Sequence, residues 1–315
     1  MLNGRNYDLD YKSVDPAKFR RRMRYASFVC AQHRLLYIET PKAACTSLKW
    51  VMAELAGKTP ALTARGVETQ LEMTIHFRDI HPLPALTDLP RREAEQVLKG
   101  DGYLRFCAVR NPYTRLIAAW SNKIRQIEPG YGETCAEIHA FHGDSGARRA
   151  PSFREFALWV VSTCDPDASD GHWRPQFNLL HPQIIDYDFV LKTESLGVDL
   201  QKVFDTSPTL QRADARSMLS RFRYNESLPF AQAGLYDEGL ARRVASYYKD
   251  DFEVFGYDLD SWRNIVDRRP LTFSELEAAS LSAIQNRNAL IEALVAKQSK
   301  KSTRVLAVLR KLIRT

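Results

Sequence analysis

The chain has 315 residues, of which 44% are apolar, 10% aromatic and 26% charged. These are the proportions of a globular protein with a sizeable core, and they exclude a disordered chain, a collagen-like one and a disulfide-framed miniprotein. The net charge of +7 would point to nucleic acid, but residues 297–315 carry seven basic side chains and no acid, and the remainder has as many acids as bases; no nucleic-acid partner is expected.

Residues 1–24 contain no apolar stretch of signal-peptide type, and no run approaches the ~20 apolar residues that span a bilayer. The five cysteines (Cys30, Cys45, Cys107, Cys135, Cys164) include no C-x-x-C pair. The expectation is a cytoplasmic protein with reduced thiols and no structural metal. An N-terminal segment (1–27) precedes the main domain (28–262) and a helical C-terminal extension (263–315).

Residues 28–40 (FVCAQHRLLYIET) are rich in branched and aromatic side chains and predict a strand that leaves its sheet at Pro41. Helical spacing begins near Thr46 and runs through Leu48, Val51, Met52 and Leu55 to Gly57. A second strand (103–110, YLRFCAVR) ends at the turn Asn111-Pro112, and a helix follows over 113–127. Residues 128–150 are Gly-rich and polar and read as a lid or substrate loop. Residues 184–192 (IIDYDFVLK) predict a third strand and residues 242–252 an aromatic-rich helix. Strands alternating with helices predict an α/β fold with a central parallel sheet flanked by helices.

Further on, Ser274 with Glu277 has the spacing of a capping box. Leu281, Ile284, Ile291 and Val295, with Asn288 at one core position, follow a short heptad pattern that suits either a coiled coil or a single packed helix. The terminal turns place Val305, Leu306, Val308, Leu309, Leu312 and Ile313 on one face among arginines and lysines. Such a basic amphipathic helix can dock on anionic lipid at the inner face of the membrane, pack on a partner helix, or cover the protein's own core.

Two strand-to-helix turns carry the chemistry. In the first, Pro41-Lys42-Ala43-Ala44-Cys45-Thr46-Ser47-Leu48, an ammonium group, two hydroxyls and the unbonded amides of a helix's first turn converge, and the small alanines admit a ligand close to the backbone. The glycines of G-x-x-x-x-G-K-[ST] are absent, so an ordinary nucleoside triphosphatase loop is not matched. A capped helix with a solvated lysine is the alternative. In the second turn, Arg110 closes a hydrophobic strand, where its guanidinium can fork onto a phosphate or form a surface ion pair. Both lie where ligands of open α/β sheets bind, and together they suggest a ligand with two separate anionic groups.

The segments PKAACTSLKW and FCAVRNPYTRLIAAWSNK resemble the 5′-phosphosulfate and 3′-phosphate loops of the carbohydrate sulfotransferases, nearest the chondroitin and dermatan branch. Further matches come in order: His172-Trp173-Arg174-Pro175, the run YDFVLKTESL at 187–196, Asn225-Glu226-Ser227, then Tyr248-Lys249-Asp250-Asp251-Phe252 with Phe255-Gly256-Tyr257. The resemblance, which covers about residues 35–257, implies the P-loop-like sulfotransferase fold. It also implies 3′-phosphoadenosine 5′-phosphosulfate (PAPS) as donor, a carbohydrate acceptor and no metal. By that resemblance Lys42 neutralises the leaving phosphate, the backbone of Ala43, Ala44, Cys45, Thr46, Ser47 and Leu48 with the Thr46 and Ser47 hydroxyls holds the 5′ end, and Arg110 binds the 3′-phosphate. The serine that relatives carry eight residues after that arginine is Ala118 here; Ser121, one helical turn further, is the candidate replacement, and its reach to the phosphate is left open. The relatives' cysteine-rich stretch after the His-Trp motif reads Leu180-His181-Pro182-Gln183, and the construction implies a soluble, bacterial-type member.

An acceptor hydroxyl needs a base that titrates near neutrality, so histidines lead. His76, which lies between the two loops, is expected first, with His81 and His172 behind it. His81, His172, Trp173 and Arg174 are candidates for the acceptor groove, and Lys192 with Glu194 reads as an internal ion pair. Two rival functions are a kinase-like transferase, for which no glycine-rich loop or magnesium carboxylates stand at the right place, and a non-catalytic binding protein that retains the fold.

Overall fold

The computed structural model describes residues 14–59, 75, 76, 78, 81–222 and 232–267, with 272, 274–277, 280 and 291 of the extension. The basic tail, Asn225-Glu226-Ser227 and the heptad positions other than Ile291 lie outside the described residues.

The expected first strand is two strands. After helix α1 (Pro16–Ala26), β1 (Ser27–Cys30) pairs antiparallel with β2 (Leu35–Ile38), Ser27 facing Ile38 and Cys30 facing Leu35. The polar stretch Ala31–His33 makes a 3-10 turn, and Arg34 closes it at φ 50° in the left-handed region. β3 (Leu104–Val109) and β4 (Phe189–Lys192) then add parallel strands in the order β1-β2-β3-β4. The sheet is therefore mixed, with a parallel centre and one antiparallel edge strand, and helices flank it.

Alternation along the strands sorts side chains into two layers. Leu35, Tyr37, Phe106, Ala108 and Leu191 face a core shared with α2 (Cys45–Leu55), α8 (Leu196–Thr206) and α9 (Ala215–Arg221), while Leu36, Ile38, Cys107 and Val109 face the opposite core with Met23, Val254 and Val97 of α3 (Arg91–Lys99). A third, aromatic core joins α4 (Pro112–Ala119), α6 (Phe153–Thr163) and α10 (Glu238–Tyr247).

Sequence signals explain several helix boundaries. Asn111 accepts from Tyr113 N–H at 3.0 Å with Pro112 at the first helical position, and Ser152 with Glu155 forms a capping box at α6. α4 continues into a π-helical turn (Trp120–Ile124), where Arg125 N–H reaches Trp120 C=O at 2.8 Å. The expected lid contains helix α5 (Gly132–Phe141), which buries Cys135, Ile138 and His139 at helical spacing. The expected helix at 242–252 is α10 followed by α11 (Lys249–Phe255), divided at Tyr248. In the extension, the capping pair is Thr272 with Glu275, two residues ahead of the expected Ser274 and Glu277. Among the described residues no helix is long and apolar enough to cross a membrane.

Candidate functional site

The two turns leave neighbouring strands. β2 and β3 run parallel with Ile38 beside Cys107, so the chain reaches Lys42 and Arg110 from adjacent strand ends, which lie about 4.8 Å apart across the ladder. The first turn is strained: Lys42 and Ala44 both hold positive φ, 68° and 55°. Ala44 is the N-cap of α2 and contributes no side-chain cap. The first intrahelical bond runs from Leu48 N–H to Ala44 C=O at 3.0 Å, and Ala43 N–H bonds Thr40 C=O at 3.2 Å. Of the expected backbone ligands, Leu48 and Ala43 are thus engaged internally, and the amides of residues 44–47 precede the first helical bond.

Lys42 points into a crowd of like charges. Its Nζ donates to Asn122 Oδ1 on the π-turn. Burial first, then the nearby Lys123 ammonium, with Arg110 adding to the effect against Glu128, lower its pKa to about 7. Lys123 pairs with Glu128 and lies 5.3 Å from the Tyr131 ring centre. Arg110 is braced on the second turn: its Nε donates to Thr114 Oγ1 at 3.0 Å, while Gln176 bonds both its N–H (2.8 Å) and its C=O (2.9 Å). An anion arriving here would relieve the repulsion among Lys42, Lys123 and Arg110, so the residues present fit a multiply charged ligand. Ala118 and Ser121 are both buried, Ser121 within the π-turn.

The three candidate histidines have different surroundings. His76 Nδ1 lies 2.7 Å from Lys49 Nζ, and its Nε2 lies 3.0 Å from Thr46 Oγ1. Lys49, itself buried, pairs with Glu39 at 2.7 Å. Desolvation, then the charges of Lys49 and Lys123, hold the His76 pKa well below the ordinary imidazole value. His172 Nδ1 lies 2.6 Å from Asp170 Oδ1, and Tyr131 donates to Asp170 Oδ2 at 3.2 Å. His81 belongs to the core: its ring packs 4.6 Å from Phe28, and its Nδ1 accepts from Leu83 N–H at 3.2 Å. It does not line an acceptor groove.

Trp173 and Arg174 also differ from expectation. Trp173 is buried edge-on among Tyr131, Phe156 and Trp159, so its face is not offered to a sugar. Arg174 Nε donates to Ser169 C=O at 2.8 Å and shapes the turn that carries His172. Lys192 and Glu194 do not pair with each other. Lys192 Nζ donates to Gly256 C=O at 2.9 Å, whereas Glu194 accepts from Asn111 N–H at 2.9 Å and Tyr257 O–H at 3.1 Å.

Sequence reasoning assigned no role to the residues that hold the two turns against the His172 segment. Arg115, fully buried, donates from Nε to Pro41 C=O (3.0 Å), from Nη1 to Arg174 C=O (2.8 Å) and from Nη2 to Gly171 C=O (2.8 Å). Asp251 accepts from Gln176 N–H at 2.9 Å and Phe177 N–H at 2.7 Å, capping α7 (Gln176–Leu180) from α11. Tyr248 donates to Trp173 C=O. The Tyr248-to-Phe252 motif is thus the clamp of the His172 turn. Its only signal in the sequence is its position in the ordered set of matches.

The arrangement is that of an α/β fold with two basic turns at adjacent parallel strand ends and a histidine turn locked beside them. The model of the sulfotransferase family matches residues 25–258, and the chain belongs to that family. Carbohydrate sulfotransferase 14 of Mus musculus is 32% identical over 250 residues, 78% of this chain and 63% of its own length. The Homo sapiens protein of that name is 33% identical with the same coverage, and carbohydrate sulfotransferase 8 of Homo sapiens is 28% identical over 249 residues, 73% of this chain and 55% of its own. The chain therefore spans about three-fifths of the length of the carbohydrate sulfotransferase 14 relatives. These relatives are vertebrate proteins and give no support to a bacterial-type member. No solved structure matches the chain.

Proposed function

We propose that the protein transfers a sulfuryl group from PAPS to a hydroxyl of a carbohydrate. The observation that carries this reading is the pairing of the Lys42 and Arg110 turns on adjacent parallel strands, within one field of positive charge. Family membership supports sulfuryl transfer, and the relatives' own names supply the carbohydrate acceptor.

When bound, the donor supplies an electrophilic sulfur with a phosphate leaving group. The protein's part is to position and neutralise. The amides of residues 44–47, the α2 dipole and the Thr46 and Ser47 hydroxyls hold the 5′ end, and Lys42 places its ammonium against the charge that grows on the leaving oxygen. Arg110 holds the 3′-phosphate, its guanidinium kept in place by Thr114 and its backbone by Gln176. Ser121, one turn beyond Ala118, is the substitute hydroxyl for that phosphate. His76 acts on Thr46: an ammonium has no lone pair, so Lys49 must donate to Nδ1, which leaves Nε2–H to donate to Thr46 Oγ1. The chain Glu39–Lys49–His76 thereby orients the Thr46 hydroxyl as a donor towards the phosphate.

Calorimetric titration with adenosine 3′,5′-bisphosphate tests the reading, together with transfer of labelled sulfate from PAPS across polysaccharides, glycolipids and simple alcohols. Binding and transfer to a sugar are expected. Lys42→Ala lowers turnover by ~10²–10³ with the fold retained. No binding of the bisphosphate would refute the proposal.

A further inference from the structure

We propose that His172, oriented by Asp170, is the general base that deprotonates the acceptor hydroxyl, and that His76 cannot serve as that base. The proposal rests on the sulfotransferase reading above and assigns the proton within it.

The two rings differ in where their lone pairs go. Both nitrogens of His76 are committed, Nδ1 as acceptor from Lys49 and Nε2–H as donor to Thr46, so no basic nitrogen faces the cleft. In His172 the carboxylate of Asp170 can only accept, so Nδ1 carries the proton and Nε2 keeps its lone pair. Among the described residues His172 Nε2 has no hydrogen-bond partner. Asp170 is itself fixed: it accepts His172 N–H at 2.8 Å on Oδ1 and the Tyr131 hydroxyl on Oδ2. Nucleophilic sites often share this base-and-orienter arrangement.

His172 also lies within electrostatic reach of the phosphate turn. The groups facing it are Asp170 on its own turn, Tyr131 ahead of α5, Lys123 and its partner Glu128 about the π-turn, Lys42 on the phosphate turn, and His76. Burial foremost, opposed by the Asp170 hydrogen bond, with Lys123 and Lys42 adding to the fall, brings its pKa to about 4. Arrival of a polyanion between Lys42 and Lys123 compensates those charges and raises the pKa towards the working range. In the step itself the acceptor O–H bond breaks and its proton passes to Nε2. The oxygen forms the new bond to sulfur, and the old sulfur–oxygen bond breaks with its electron pair going to the departing phosphate. Asp170 is a positioning residue, since it acts only through the imidazole.

Two measurements test the assignment. The first needs no donor: in the protein labelled with 15N-histidine at pH 7, His172 is expected as the Nδ1–H tautomer and His76 as the Nε2–H tautomer. The reverse pattern overturns the proposal. The second uses PAPS with the sugar acceptor that the wild-type protein sulfates. His172→Asn is expected to lower kcat by ~10²–10⁴ while adenosine 3′,5′-bisphosphate still binds within about threefold of wild type. Asp170→Asn, whose amide donates to Nδ1 and moves the proton to Nε2, lowers kcat comparably without raising the KM for PAPS. His76→Asn instead weakens bisphosphate binding and keeps the acid limb of the pH–rate profile. Loss of that limb in His76→Asn and its retention in His172→Asn, or near-normal turnover of His172→Asn, sinks the base assignment alone. Failure of the wild-type protein to bind the bisphosphate would instead remove the sulfotransferase reading beneath it. Should His172→Asn not fold, judged by circular dichroism, the tautomers decide.

Discussion

The Lys42 turn and the His172 turn lie side by side, yet they are built on opposite principles. The first is strained and underbonded: two non-glycine residues at positive φ, no side-chain cap on its helix, and a lysine crowded by Lys123 and Arg110. The second is tied from several sides: Arg115, Arg174 and Tyr248 bond its carbonyls, and Asp251 holds the amides of Gln176 and Phe177 just after it. A turn that receives a ligand must aim its donors at that ligand and store repulsion for it to relieve. A turn that presents a base must leave nothing adjustable.

Arg115 bonds both turns, so removing it tests the contrast most severely. Arg115→Leu strands the carbonyls of Pro41, Gly171 and Arg174 in the interior and is expected to cost on the order of 3–5 kcal/mol in urea unfolding. A loss below about 1 kcal/mol would show that other donors serve those carbonyls.

A gentler probe asks whether the first turn holds repulsion in reserve. With Lys42 titrating at about 7, it is mostly neutral at pH 8, and an anion bound beside it raises the pKa. Binding of adenosine 3′,5′-bisphosphate at pH 8 should therefore take up protons, approaching one per site. Calorimetry in two buffers of different ionisation enthalpy measures this, and uptake near zero would mean that the ammonium is already formed. The smallest effect concerns strain alone. Ala44→Gly removes the Cβ that disfavours φ 55° and is expected to stabilise the fold by about 0.5–1 kcal/mol. A loss of stability would argue that the turn is unstrained.

The two turns were legible in the sequence because each joins an apolar run to a proline and a helical pattern, which is local information. The hairpin within residues 28–40 was not: periodicity marks both strands, but the reversal depends on Arg34 adopting a left-handed conformation that arginine rarely takes. Helix α5 was hidden by composition, since flanking glycines and polar residues outweighed the spacing of Cys135, Ile138 and His139. Histidines could be recognised as candidates from residue type, and position between the two loops put His76 first, but position does not tell which ring nitrogen is left free. What separates His76 from His172 is which neighbour bonds which ring nitrogen, and Lys49 and Asp170 acquire those roles only in three dimensions. Arg115 shows the same limit, since nothing local distinguishes a buried guanidinium binding three carbonyls from a surface charge on a helix.

The π-helical turn at Trp120–Ile124 houses one residue more than an α-helix would fit in the same span. Asn122, which meets the Lys42 ammonium, and Lys123, which lowers its pKa, owe their bearing about the helix axis to that surplus residue. Deleting a single residue there would swing both by roughly 100°, away from the cleft, while the cap and apolar stripe of the preceding eight residues stayed where they are. Register in this helix is therefore a property of the ligand's environment, separable from the architecture that the same helix upholds.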